Sequence, residues 1–571
     1  MSLKKLTSLL VLLAIFCLAL GLRTYGLNWD QGNHLHPDER FLTMVETTIK
    51  LPKSLTQYLN TATSPLNPYN YKEYQFFVYG TFPLFLTKIV GEISHQSSYD
   101  QINLVGRFLS ALFDSGCVIL LYFLAKKIIK SSYLVYLPSL LYAFCVLPLQ
   151  LSHFFAVDTF LSFFILATFV ALSYKRIPLA AVTFGLALAS KISALYFAPI
   201  FTLFIIIDFI KHKNFYRFLL FCFSSLFITF VVFRFFQPYS FVGLFKPNPL
   251  FINNLKTLES FNDPNGWFPP AVQWLSKKPL PFSLQNIVFW GIGLPLVILL
   301  LTAIIKIKKA SIKKTPLIMW LSIIWMLLLF IYQGSQFAAN MRYFIVIYPF
   351  IILITVYALT VSKLNPKIVL LFITFHCIFG IIFLNIYSHP HSRVQASSWI
   401  YQNIPIGSSI TNEYWDDPLP LYLPMHDPNS YRGTMLPLYD PDITEKWNKL
   451  QPEIDDANYL FMTSNRLWAS IPQVPSRYPI TTKFYNNLFD ENTTFTIYKE
   501  IDSYPGITLP FLKKCYYFGP TNYPYKEKKN TWFSIDNQCN YPGIYLRDDT
   551  AEESFTVYDH PKILIYKNNT K

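Results

Sequence analysis

The stretch KKLTSLLVLLAIFCLALGL, residues 4–22, decides the fold. The run from Leu6 to Leu22 carries no charge and follows two lysines, as a membrane-spanning helix with a cytoplasmic flank does. Leu18-Ala19-Leu20-Gly21-Leu22 lacks the small-x-small pattern of a cleavage site, so the run reads as a retained span and not as a signal peptide. Similar runs recur near 102–125, 133–151, 158–174, 178–191, 193–208, 218–236, 285–305, 315–332, 343–361 and 368–386. About eleven transmembrane helices are therefore expected. The chain of 571 residues is 52% hydrophobic and only 14% charged. Soluble domains average about 25% charged residues. This composition excludes disorder and argues against an ordinary cytosolic enzyme.

Charge orients the chain. The sequence holds 48 Lys/Arg and 33 Asp/Glu, a net of +15. Residues 387–571 carry 17 and 21 of these, a net of −4, so the apolar part carries +19. With Lys4 and Lys5 inside, alternate loops also fall inside. They bring 17 basic residues to one side, among them Lys126, Lys127, Lys175, Arg176, Lys211, Arg217, Lys308 and Lys314. That segregation follows the positive-inside rule, so the basic excess sets orientation and gives no sign of nucleic-acid binding. The N-terminus is expected in the cytoplasm and the C-terminal part outside.

Two domains are expected. Residues 1–386 form the transmembrane part, with long outer loops at 23–101 and 237–284 that are rich in Pro and aromatic residues. Phe76–Val90 is apolar but broken by Pro83 and Lys88, and reads as interfacial. Residues 387–571 form a soluble extracytoplasmic α/β domain. Val394–Asn403 and Asp442–Leu450 look helical there; Ser409–Glu413, Ala457–Met462, Phe495–Lys499, Phe555–Val557 and Ile563–Tyr566 look like strands. The Tyr- and Pro-rich stretch 504–545 reads as irregular. Cys515 and Cys539 are the only cysteines of this domain, and pair if the compartment is oxidising.

The candidate chemistry lies in His34-Leu35-His36-Pro37-Asp38-Glu39-Arg40-Phe41, just beyond the first span. A bland reading makes Pro37-Asp38-Glu39 the start of a helix. A metal site through His34 and His36 is a further option, although their spacing defines no ligand set. Asp158 sits between the third and fourth spans, where an ionisable group at the edge of hydrocarbon is a functional candidate. Lys191 and Arg342-Tyr343 fall at outer turns, where snorkelling is the bland alternative. Asp38, Asp158, Lys191 and Arg342 all map to the outer face, which independent snorkelling does not require. Cations there would hold a lipid-linked phosphate as leaving group, and a carboxylate would deprotonate an acceptor hydroxyl. In the C-terminal part, Glu413 and Trp415-Asp416-Asp417 offer a second, weaker candidate, with Trp415 able to stack on a sugar ring. The bland reading there is an acidic loop after a strand.

The stretches His36–Glu39, Val105–Leu112, Ser152-His153 through Thr159, Gly185–Leu195, Arg342-Tyr343 with Tyr348-Pro349, Arg393–Ile400, Asn412–Asp417 and Ala551–Pro561 carry a family resemblance. Together they resemble lipid-phosphosugar-dependent glycosyltransferases of the C-type membrane fold, of the protein O-mannosyltransferase and aminoarabinose-transferase kind (glycosyltransferase family 39). The resemblance implies that Asp38 is the base or acceptor-orienting carboxylate, with Glu39 supporting it and Asp158 a second acid near the site. It implies that Lys191 and Arg342 engage the polyprenyl phosphate, with Tyr343, His36 and Arg40 as further candidate substrate contacts. It implies transfer with inversion. The repeated sugar-binding module of eukaryotic protein mannosyltransferases is missing from 237–284, so acceptor identity does not carry over. No cofactor is required on this reading; a divalent metal stays open at His34 and His36.

The expected function is transfer of one sugar from a polyprenyl-phosphate-linked donor to a hydroxyl of a protein, lipid or glycan in the cell envelope, at the outer face of the bilayer. The alternatives are an oligosaccharide transferase using a pyrophosphate-linked donor, and a transporter or flippase of lipid-linked sugars. A transporter would place ionisable groups near mid-membrane in related halves. Here the acids gather at one face and no half-to-half repeat is seen.

Overall fold

The computed structural model describes residues 3–266, 268–521, 531–539 and 541–571. Each of the eleven apolar runs is helical. Among the described residues, seven helices are long and apolar enough to cross a membrane, or up to nine if two bent pairs each count as one span. Two further apolar helices, Asp158–Ser173 and Ile177–Ser190, are shorter. By length, then, the span count is seven to nine. The helix Phe215–Phe236 shows why lipid is needed. Only Ser225 is buried in it, while Phe223, Leu226 and Phe227 stay 56–74% exposed. Water would not tolerate so large an apolar face.

The bends have local causes. Pro279–Gly291 and Leu294–Ile305 meet at 109°, so the run expected as one straight span over 285–305 is folded on itself. Gly293 takes φ +89°, a left-handed conformation that favours glycine. A Cβ there would also lie 2.6 Å from the Phe379 ring. The helix Thr81–Ile93 covers the second half of the stretch read as interfacial. Its 13 residues reach about 20 Å, too short to cross.

The two long loops, 23–101 and 237–284, pack on each other. Helix α1 (Leu3–Thr24) leads into the first, which contains helix α2 (Pro37–Thr48). Leu42, Val45, Tyr69, Phe77 and Phe85 share one buried cluster with Phe155 and with Tyr239 and Phe251 of the second loop. Thr61 Oγ1 donates to the Phe241 carbonyl at 2.6 Å.

The C-terminal part is α/β. Strands β1 (Ser409–Glu413), β2 (Arg432–Leu436), β3 (Tyr459–Met462), β4 (Phe495–Ile501) and β9 (Ile563–Asn568) form a five-stranded sheet in the order β2-β1-β3-β9-β4. β1 runs parallel to β2 and β3, and β9 is antiparallel to β3 and β4. The stretch expected to be irregular holds instead a second sheet. Strands β5 (Gly506–Thr508), β6 (Cys515–Thr521), β7 (Thr531–Asp536) and β8 (Gly543–Leu546) align as β5-β8-β6-β7. The strands are short and their Pro and Gly residues masked the alternation. A disulfide joins Cys515 to Cys539. Phe555–Val557 is no strand; Glu553–Thr556 is a single helical turn, because this segment pairs with the membrane part and not with a sheet.

Candidate functional site

The head of α2 is built by the residues that precede it. Pro37 occupies its first turn, and His36 caps it by accepting the Glu39 backbone N–H on Nδ1 at 3.3 Å. The His36 ring lies between Phe154 (4.5 Å) and Tyr558 (4.3 Å). Burial pushes its imidazole down to about 4, so it is neutral at physiological pH.

Glu39 turns inward. Arg107 donates to Oε2 through Nε at 2.9 Å and to Oε1 through Nη2 at 2.5 Å, and the Phe155 backbone N–H donates to Oε2 at 2.8 Å. The same guanidinium reaches both Asp30 oxygens, at 3.1 and 2.9 Å, and lies 4.6 Å over the Trp29 ring. Glu39, Arg107 and Asp30 have no exposed side-chain surface. Gly106 allows this closeness: a Cβ there would lie 2.2 Å from the Phe155 ring. The triad pins α2 to the helix Tyr99–Ile128 and to the turn before Asp158.

Asp38 turns the other way. Its Oδ2 accepts from Arg342 Nη1, and the Tyr79 hydroxyl lies close by. Burial alone would raise this carboxyl; Arg342, His36 and Tyr79 together hold it well below the usual carboxylate range. Asp158, at the start of Asp158–Ser173, accepts from Lys191 Nζ at 2.7 Å, and Lys191 caps the end of Ile177–Ser190. Tyr343 links the pairs. Its ring lies 5.0 Å from Lys191 Nζ and 5.8 Å from the Arg342 guanidinium carbon. Unlike the Arg107 triad, Arg342, Asp38 and Lys191 keep 19–23% of their side-chain surface exposed. Arg342 Nε is buried and has no partner among the described residues. An unmade N–H bond beside an accessible cation invites an anionic ligand.

Other sequence candidates lie elsewhere. Arg40 donates to Asp417 Oδ1 at 2.6 Å and to the His34 carbonyl at 2.8 Å, tying the first loop to the C-terminal domain. The His34 ring packs against Tyr99 at 4.1 Å, tilted by 44°, with Nε2 3.8 Å from Asp100. No group of three His, Cys, Asp or Glu able to hold a metal ion occurs among the described residues. Asp38 and Asp158 each have a cationic partner, Arg342 and Lys191 respectively. Asp416 is enclosed by Arg393 (3.1 Å), Arg466 (3.3 Å) and Ser464, and Glu413 accepts from the Tyr485 hydroxyl at 2.5 Å. The acidic cluster around Trp415 is thus a salt-bridged junction.

Sequence reasoning missed Tyr79, Tyr558 and the role of Arg107. Arg107 did carry a signal, a cation inside an apolar run, where a charge needs a partner. Tyr558 carried none, because it arrives from the far end of the chain. The segment around it docks on the membrane part. Gln150 donates to the Phe555 carbonyl at 2.7 Å, the Glu552 backbone N–H donates to Asn286 at 2.9 Å, and Phe555 sits in the membrane-part core.

A family model described as dolichyl-phosphate-mannose-protein mannosyltransferase matches residues 84–236. This region contains Arg107, Asp158 and Lys191, but not Asp38 or Arg342. The family resemblance read from the sequence and this match agree. No curated protein matches the chain. Among solved structures, the chain is similar to the archaeal oligosaccharyltransferase AglB from Archaeoglobus fulgidus in complex with an inhibitory peptide and a dolichol-phosphate. That likeness has 12% identity and a TM-score of 0.49, over 84% of this chain and 72% of the other. It is also similar to ArnT from Cupriavidus metallidurans bound to undecaprenyl phosphate, with 10% identity and a TM-score of 0.46 over 82% of this chain and 95% of the other.

Proposed function

We propose that this chain is an integral membrane glycosyltransferase that moves one sugar from a polyprenyl-phosphate-linked donor to a hydroxyl of a protein, lipid or glycan. The observation that carries it is the joining of two ion pairs with accessible cations, Asp38–Arg342 and Asp158–Lys191, through Tyr343. The mannosyltransferase family model over 84–236 supports the reaction class.

In this reading the donor phosphate takes the two cations, and Arg342 Nε supplies one further N–H. Asp38, released from Arg342, accepts the proton of the acceptor hydroxyl as that oxygen attacks the anomeric carbon. The bond from anomeric carbon to phosphate oxygen breaks, and the electron pair leaves with the polyprenyl phosphate, whose charge Arg342 and Lys191 neutralise. A single displacement inverts the anomeric centre. Two cations supply the charge that a divalent ion would otherwise bring, so we propose that no metal or cofactor is needed; activity retained in excess chelator would support this.

We place the N-terminus in the cytoplasm and the site with the C-terminal domain outside. The one-sided distribution of Lys and Arg supports this, as does a disulfide suited to an oxidising compartment.

The test uses purified protein in lipid nanodiscs with synthetic polyprenyl-phosphate sugars, with mass spectrometry following the released polyprenyl phosphate and the sugar product. Asp38→Asn should lower turnover by about 10²–10⁴-fold, the usual worth of a general base, with folding unchanged. Full activity in that variant would remove Asp38 from the chemistry.

A further inference from the structure

A cavity of about 720 Å³ lies in the C-terminal domain and shares no residue with the Asp38 site. One wall is the β4 edge of the five-stranded sheet with the helix Ser392–Asn403, and the other is the small sheet stapled by Cys515–Cys539. Its size is that of a small-ligand site. Its lining decides the chemistry of the ligand.

Aromatic rings stand on both walls. Trp399 and Tyr498 lie 5.3 Å apart on one side, and Tyr517 and Tyr545 lie 5.6 Å apart on the other. Tyr541 flanks the small sheet. Tyr498 and Tyr541 are 43% and 52% exposed, so their ring faces are open to a ligand. Between the walls lie polar groups able to accept or donate. The Asp502 carboxyl lines the cavity; no hydrogen bond or close ion pair to it occurs among the described residues, although Lys562 and Arg547 lie near enough to act on its charge. Burial pushes it up to about 6, so it can both donate and accept near neutral pH. Formal charge in the lining balances, with Lys499, Arg547 and Lys562 against Glu500, Asp502 and Asp536. Lys562 and Arg547 already pair with Glu500 and Asp549. Two of the three lining cations are thus committed, so an anionic ligand would find Lys499 alone, and an apolar one would strand the polar groups. Rings for the C–H faces and side chains for the hydroxyls are what a neutral sugar needs.

We infer that this cleft is a second, non-transferring site for a neutral oligosaccharide, held between the rings of Trp399, Tyr498 and Tyr541 and hydrogen-bonded by Asp502. It lies on the side of the bilayer where the proposed transfer takes place, so its ligand is a glycan of the envelope or of the acceptor. The inference rests on that sidedness and not on the chemistry at Asp38.

Full-length protein in lipid nanodiscs, free of maltoside or glucoside detergent, is titrated with tri- to hexasaccharides of glucose, mannose and N-acetylglucosamine. Saturation-transfer NMR and tryptophan fluorescence read binding. At least one series should bind with a dissociation constant in the millimolar range or below. Tyr498→Ala, Tyr541→Ala and Asp502→Asn should each weaken it by about tenfold, the worth of one stacking or charge-assisted contact. Asp502→Asn, nearly isosteric, guards against a folding artefact. Asp38→Asn should leave binding unchanged. Failure of all three sugar series, binding insensitive to the cleft variants, or binding of peptides in their place overturns the inference. Saccharide binding with no transfer of sugar from any polyprenyl-phosphate donor would refute the proposed reaction alone.

Discussion

Asp38 keeps 23% of its side chain exposed and Glu39 keeps none, although one peptide bond joins them. The turn of α2 sends one carboxylate to an accessible arginine and the other to a buried one. Substitution of those arginines should therefore fail in different ways. Arg107→Ala leaves Glu39 and Asp30 buried and unpaired, which costs about 3–5 kcal/mol; thermal unfolding should show loss of folded protein before any kinetic effect can be read. Arg342→Ala removes a cation that faces the proposed donor. Folded yield should be kept and the KM for donor should rise by about 10–100-fold, the worth of a charge-assisted hydrogen bond. An Arg342→Ala enzyme with wild-type donor kinetics would remove the phosphate-binding role. Read from the sequence alone, Asp38, Asp158, Lys191 and Arg342 are expected on one side of the bilayer. The sequence offers no means of seeing that Asp38 meets Arg342 across 304 positions.

At the scale of elements, the segment 548–560 fastens the C-terminal domain to the membrane helices. His560 lies between Asp548 (2.6 Å) and Asp559 (2.5 Å), and Asp559 also accepts from Gln150 and from the Tyr387 hydroxyl at 2.7 Å. The two carboxylates overcome burial and raise His560 to about 10. Its folded value lies above the unfolded one, near 6.5. The stabilisation is therefore complete below about 6.5 and is lost as pH rises through about 10. Thermal melts should therefore fall as pH rises across that range. His560→Gln should start lower and fall less. A wild-type melt that does not change with pH would mean His560 is neutral in the clamp.

For the whole molecule, Phe555 joins the two domains. It is 1% exposed and packs in the core of the membrane part, beside Trp290 and Phe383. The adjacent Tyr558 covers His36 at the head of α2. Phe555→Ala should cost about 3–5 kcal/mol, expose the 548–560 segment to protease and lower transfer through the loss of Tyr558 from the site. Unchanged protease protection with full activity would show that the domains hold together without this plug.

Patterns that are local in the chain are legible in the sequence by itself. The apolar runs mark the helices, the lysines mark a preferred side, and Pro37 ahead of two acids marks the start of α2. Strand β3 reads correctly because Tyr459–Met462 is an unbroken apolar run, buried at every position. Other features depend on residues that meet only after folding. The 109° fold at Gly293, the second sheet hidden under Pro and Tyr, and the helical turn at Glu553–Thr556 are of this kind. So are the Arg107 triad and the approach of Tyr558 to His36. Hydrophobic periodicity and charge bias act over a few residues at a time, so sequence carries them openly. Ion pairs between distant segments depend on which helix ends become neighbours, and only the packed molecule decides that.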